Sequence, residues 1–252
     1  MLNIEQVNVP RAAHVLADLL REKIFKGELA VGAELPAERD LAERAGVSRA
    51  TVREALRLLE SDGLVITRVG RKGGSEVVQL SVEVVERSLQ TFIRGRRIRL
   101  DAILETRAAI EGPSAAYAAA HRTEEDLDRL ELCHERVEKA SKDADMQAYL
   151  QANLDWHIQV VQAGHNELLV AFMSAIAQPI FEASDLKGFI SPQLRVAAIR
   201  AHRRVIDAIR ERDGEAARRR MERHVDAYVA TAKNVGMPAA VDDIKEWTGK
   251  AN

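Results

Sequence analysis

The sequence predicts a mainly α chain in two parts: a small N-terminal unit of three helices and a β-hairpin, then a larger all-α helical bundle. Three observations carry this. Ala, Leu, Glu and Arg dominate the 252 residues, while aromatics make up only 4%, a bias that favours helices over sheets. Apolar residues recur at helical spacing over most of the chain from residue 83 to about 234. Glycines and β-branched residues concentrate instead between Gly63 and Leu80, the one stretch with period-2 texture.

Each element has its own justification. Residues 1–10 read as a short leader. Val15, Leu16, Leu19, Leu20 and Ile24 mark a helix from Arg11 to Gly27. Gly32 and Pro36 open a loop, and residues 37–45 form a short helix with Leu41, Ala42 and Ala45 inward. Gly46 permits a tight turn, and Ser48 is placed to cap the next helix, whose Val52, Ala55, Leu56 and Leu59 face a core. Gly63 closes that helix. Leu64–Arg68 and Glu76–Leu80, with glycines between, read as the hairpin. Helices follow near 83–93, 101–120, 123–141, 145–163, 167–184, 192–211 and 214–234, with Asp101 expected to cap the second of these. The breaks fall at Gly164, Ser191-Pro192 and Asp213-Gly214. The domains are therefore placed at 1–80, 81–235 and a tail at 236–252.

The small unit is arranged to put a helix against DNA: a short helix, a tight turn, a second helix and a basic glycine-rich tip. This is a winged helix-turn-helix. Arg49, Arg53 and Arg57 recur every four residues and line a face other than the apolar one. Between Ser48 and Lys72 arginine and lysine outnumber acids by three, although the whole chain has a formal charge of −2. DNA binding would rest on that local patch. Arg49 and Arg53 sit in the first turns of the second helix, where a forked guanidinium can reach guanine acceptors or clamp phosphate. Thr51 can donate to phosphate or touch a thymine methyl, and Arg39 can reach the backbone. Gly70, Arg71 and Lys72 form a tip suited to the minor groove. For any single arginine, a solvated basic face is the competing explanation.

Leu35-Pro36-Ala37-Glu38-Arg39, Val47-Ser48-Arg49, Val52-Arg53-Glu54-Ala55-Leu56 and Gly63-Leu64-Val65 resemble the signature of the GntR family of bacterial transcription regulators. The resemblance implies operator contacts at Arg39, Arg49, Thr51, Arg53 and Gly70, with Ser48, Arg71 and Lys72 in the same surface. Ala50 and Glu76 depart from the pattern, at positions that are commonly polar and apolar respectively.

Seven histidines are present. His157, His202 and His224 fall on three different helices of the bundle, and Asn153 shares a face with His157. From spacing alone these are either unrelated residues or a metal site built of three imidazoles and an oxygen. Residues 82–234 resemble the FCD domain of the FadR subfamily, through Glu105-Thr106-Arg107 with Glu111, Trp156-His157 followed by Gly164-His165-Asn166, His202 with Ala208-Ile209, and Ala216 with His224. The resemblance implies that His157, His202 and His224 hold a divalent ion, Zn²⁺ in the first instance with Ni²⁺ or Mn²⁺ as alternatives. Asn153 stands where that site commonly has Asp. Arg107 is the implied anchor for a small organic acid; the competing reading is a buried ion pair with Glu111 four residues on. His14, His121, His134 and His165 read as surface residues, and Arg218–Arg220 as exposed helix surface.

The single Cys133 excludes an intrachain disulfide. With no signal-like leader and no long apolar run, the expectation is a soluble cytoplasmic protein without a membrane partner. No nucleophile motif, positioned base or phosphate loop accompanies the histidines, so no enzyme is expected. The leading function is a metabolite-responsive transcription regulator, a repressor by family resemblance, binding a palindromic operator of double-stranded DNA as a homodimer. An architectural DNA-binding protein with a purely structural helical domain is the alternative.

Overall fold

A computed structural model of the chain describes residues 11–68, 74–185 and 190–235. The chain divides into two compact units, meeting between Val84 and Val85.

The first unit contains α1 (Ala12–Phe25), α2 (Glu38–Ala45), α3 (Arg49–Ser61) and an antiparallel pair, β1 (Val65–Arg68) and β2 (Gly74–Val77). Leu16, Leu20, Leu41, Val52, Leu59 and Val77 form its core. Gly46, at φ +64°, makes the left-handed turn that lets α3 follow α2 closely. Ser48 caps α3, its Oγ accepting from the Thr51 backbone N–H at 3.1 Å. Three details differ from expectation. Ala45 is exposed because its helix ends there. The second strand lies earlier than Glu76–Leu80, because its other edge is held by the loop after α1: Leu35 N–H donates to Ser75 O at 2.7 Å and Gly32 N–H to Val77 O at 2.8 Å. Val15 and Leu19, read as part of the apolar stripe of α1, are 44% and 58% exposed.

Helix α4 (Val82–Gly95) crosses the boundary. The second unit is built from α5 (Leu100–His121), α6 (Glu124–Lys142), α7 (Met146–Gln162), α8 (Glu167–Ser184), α9 (Pro192–Arg210) and α10 (Gly214–Val235). Their starts are fixed locally: Thr123 and Asp126 form a reciprocal capping box, Asp145, Asn166 and Ser191 cap α7, α8 and α9, and Pro192 occupies the first turn of α9. Asp101 lies inside α5 rather than capping it, because the helix begins one residue earlier, after Arg99. Two apolar clusters fill the bundle, one around Trp156, Leu130, Ile206 and Met221, the other around Ile103, Ile110, Met173 and Ile180. α5 and α10 pack along one another. Gly112 permits this, since a Cβ there would lie 2.7 Å from Cγ of Glu222. Among the described residues α8 is long and apolar enough to cross a membrane, but half of that span is buried inside the bundle.

Candidate functional site

In the helix-turn-helix unit, Arg49 opens α3, exposed and without an ion pair among the described residues. Arg53, one turn on, is held by Glu38 of α2, its Nε lying 3.0 and 2.8 Å from the two carboxylate oxygens. Glu38 belongs to the family signature, but its pairing with Arg53 is not legible in the sequence, since the contact spans fifteen residues and exists only once α2 and α3 dock. An exposed pair of this kind stabilises by at most about 1 kcal/mol, so it orients Arg53 without locking it. Arg39 is exposed, its Nε 3.2 Å from Asp40. The hydroxyls of Ser48 and Thr51 lie 2.8 Å apart at the start of α3. Glu76 takes part in the strand pair and lies 3.2 Å from Arg68. Gly70, Arg71 and Lys72 lie outside the described residues.

In the bundle, α7, α9 and α10 bring His157, His202 and His224 together, their ligand atoms all within 4.8 Å of one another. His224 Nε2 lies 3.1 Å from His202 Nε2 and 3.3 Å from His157 Nε2. Trp156 stacks on His202 with ring centroids 3.7 Å apart, fixing that ring. His157 Nδ1 lies 2.6 Å from Glu111 Oε2, which assigns the proton to Nδ1 and turns the Nε2 lone pair towards the other two rings. Glu111 also accepts from Arg107 Nε at 2.6 Å, so the ion pair weighed as an alternative role for Arg107 is present. Arg107 Nη2 lies 2.9 Å from His157 Nε2, and its guanidinium sits over Tyr228 at 4.8 Å. It is 2% exposed.

The electrostatics follow from this burial. Desolvation lowers all three histidines, with Glu111 partly opposing it at His157; His202 falls well below its ordinary range and His224 to about 3. Burial alone would raise the Glu111 carboxyl, but the Arg107 charge and His157 overcome it and hold it at about 2. At neutral pH the site is therefore three neutral imidazoles, with the His157 Nε2 lone pair engaged by Arg107 Nη2. This donor set fits a divalent metal ion. Bonds of about 2.0–2.1 Å at tetrahedral angles place nitrogen donors about 3.3 Å apart, close to the two separations found here. The Glu111–His157 contact is the carboxylate–histidine arrangement that orients a ligating ring.

His134, read as a surface residue, is fully buried. α6 packs against α7 and α9 and brings its ring 6.2 Å from that of His202. Its Nε2 lies 3.2 Å from Glu138, near enough to attract but not aligned as a hydrogen bond. The signal was in the sequence, since Leu130, His134 and Val137 share one helical face. His121 and His165 are exposed; His165 Nε2 lies 2.8 Å from Asp126. Arg218 and Arg219 are exposed and pair with Glu222 and Glu215, whereas Arg220 faces inward.

A cavity of about 330 Å³ opens beside the histidines, lined by Arg107, Asn153, His157, His224, Tyr149, Tyr228 and residues of α9 and α10. Asn153 is thus placed on the cavity wall on the same face as His157.

Acid should weaken this centre when metal is withheld. The folded histidines have depressed affinities for protons, so the unfolded chain takes up protons first as pH falls below about 6.5. Stability is complete above that value and is lost as pH falls towards about 3. Glu111 acts in the same direction, its contribution disappearing as pH drops below 4.5 towards 2. Each titrating histidine contributes a slope of up to about 1.4 kcal/mol per pH unit. Urea unfolding of chelated protein between pH 7 and 4.5 should show this decline, and His224→Leu should flatten it; an unchanged slope would mean His224 is not buried neutral.

Residues 12–73 match the family model for bacterial regulatory proteins of the gntR family, and residues 102–227 match that of the FCD domain. The chain is 32% identical over 231 residues to the putative L-lactate dehydrogenase operon regulatory protein of Escherichia coli K12, covering 88% of this chain and 87% of that protein. It is 32% identical over 218 residues to the Glc operon transcriptional activator of the same organism, covering 84% and 85% respectively. A solved structure described as Streptococcus agalactiae GntR superposes with a TM-score of 0.63 at 25% identity, covering 86% of this chain and 99% of that one. The chain belongs to the GntR family of bacterial transcription regulators, in the subfamily whose C-terminal half is an FCD domain. It is a DNA-binding transcription regulator and not an enzyme.

Proposed function

We propose that the protein is a cytoplasmic, homodimeric repressor that binds a palindromic operator and whose operator affinity is set by a small organic acid bound at the metal centre of the bundle. The observation that carries this is the cavity wall: neutral histidines His157 and His224 and the buried guanidinium of Arg107 face one space of about 330 Å³. A divalent ion held by His157, His202 and His224, with Asn153 alongside, would supply a Lewis-acidic position for a carboxylate or hydroxyl oxygen. Zn²⁺ suits three imidazoles, and Ni²⁺ or Mn²⁺ would be accepted by the same donors. A neutral amide at 153 contributes less than a carboxylate would.

Arg107 supports the reading in a specific way. Its Nη2 occupies the His157 Nε2 lone pair that a metal would take. The two uses exclude each other, so a bound ion frees one arm of the guanidinium while Nε stays on Glu111. That free arm is then available to an acid in the cavity. Because α9 and α10 both supply cavity wall and ligands, occupancy of the cavity bears on the packing of the bundle, and operator and acid must change each other's affinity by equal factors.

On the DNA side, Arg49, Arg53, Thr51, Ser48 and Arg39 form the reading face, with Gly70, Arg71 and Lys72 in the wing. Arg49→Ala should lower specific operator affinity by about 1–3 kcal/mol, read in a binding titration against a scrambled duplex. An unchanged affinity would remove Arg49 from the contacts.

The experiment for the proposal as a whole is a thermal-shift screen of small carboxylic acids on metal-loaded and chelated protein. An acid that stabilises only the metal-loaded form supports it. A flat response in both, with the chelator itself without effect, would overturn it in favour of an architectural DNA-binding protein.

A further inference from the structure

The cavity carries more positive charge than one carboxylate needs. Besides Arg107, its wall includes Arg204 of α9 and Arg220 and Arg223 of α10, and no acidic side chain lines it among the described residues. The contrast with the neighbouring arginines of the same helices is direct. Arg203 and Arg210 of α9 share Glu131, and Arg218 and Arg219 of α10 pair with Glu222 and Glu215. Arg204, Arg220 and Arg223 have no carboxylate partner among the described residues; Arg220 instead donates to the backbone carbonyl of Arg204 at 2.5 Å, which ties α10 to α9 at this end.

The charges are also separated. Arg107 sits over Tyr228, whereas Arg220 lies eight residues earlier on α10, about 12 Å along the axis. Burial separates them further: Arg107 is buried, whereas Arg204 and Arg223 are exposed, and the wall beside them includes Ala197, Ala198 and Ala201 of α9 and Ala227 of α10. The cavity thus has a deep cationic pole at Arg107, beside the histidines, and a second, more exposed cationic pole at Arg204, Arg220 and Arg223. A three-carbon monoacid held at the deep pole would leave the second unused.

We infer that the effector carries two anionic groups at opposite ends of a short chain, a dicarboxylate or a phosphorylated acid, with the second group bound by Arg204, Arg220 and Arg223. This rests on the reading of the cavity as an acid-binding site. Arginines pair with carboxylate and with phosphate through the same forked geometry, so the wall defines the charge pattern and the experiment distinguishes the two groups.

The test is calorimetric titration of full-length, metal-loaded protein with four probes: lactate, malate, the six-carbon dicarboxylate galactarate, and 3-phosphoglycerate. At least one two-anion probe is expected to bind ten-fold or more tightly than lactate, and whether galactarate or 3-phosphoglycerate leads identifies carboxylate or phosphate as the distal group. Arg223→Gln and Arg204→Gln should bring that preference close to one, with metal content at the wild-type level by elemental analysis. Lactate binding as tightly as every two-anion probe, or a preference that survives both substitutions, would overturn the second pole while leaving the acid-binding reading intact. Failure of all four probes to bind would overturn both.

Discussion

His202→Leu is expected to abolish metal binding while leaving the chelated protein about as stable as the wild type. The ring is fully buried and stacked on Trp156, so leucine replaces it at similar volume and removes a buried polar group that costs desolvation. What is lost is the increment from the metal. A ligand present at a thousand times its dissociation constant stabilises by about 4 kcal/mol, and two remaining imidazoles would not retain that affinity. His202→Ala would confuse the two effects, because the hole beneath Trp156 would itself cost about 2–5 kcal/mol. Elemental analysis and urea unfolding with and without chelator separate them. Full metal occupancy in His202→Leu would defeat the three-histidine centre.

Arg107→Met should be the most damaging single change in the bundle, at about 3–5 kcal/mol. Glu111 is completely buried, and its ionised carboxyl depends on Arg107 and His157. Removing one partner leaves a buried charge under-compensated. The double variant Arg107→Met with Glu111→Gln removes both charges and should recover most of the loss, because an amide oxygen can still accept from His157 Nδ1. Acid binding should be absent in the double variant despite its restored stability. Wild-type acid affinity in that background would exclude Arg107 as an anchor, and a loss under 1 kcal/mol in Arg107→Met would show that Glu111 is solvated.

The local grammar of the chain was legible and its long-range partnerships were not. Helix bounds followed from caps and glycines that act within a few residues, as at Ser48, Gly46 and Ser191-Pro192. The convergence of His157, His202 and His224 was implied by family resemblance, since nothing in their spacing brings three helices to one point. Glu111 is legible as part of the family match and as an ion-pair partner of Arg107, but its bond to His157 spans 46 residues and depends on α5 meeting α7. The same holds for Glu38 and Arg53. Trp156 and His134 on His202 appear only when α6, α7 and α9 close together. Arg220 was read with Arg218 and Arg219 as one exposed run, but a helix turns about 100° per residue, which sends it to the cavity and its two neighbours outward.

The central claim is that the metal centre and its cavity control DNA binding, and it is tested most directly by operator affinity measured with and without an acid that binds the cavity, in metal-loaded and in chelated protein. The acid is expected to shift operator affinity by a factor of about 5–150 in the metal-loaded protein, the usual range for coupled sites, and by nothing in the chelated protein or in the Arg107→Met, Glu111→Gln variant. Operator affinity indifferent to the acid while calorimetry shows the cavity occupied would contradict it.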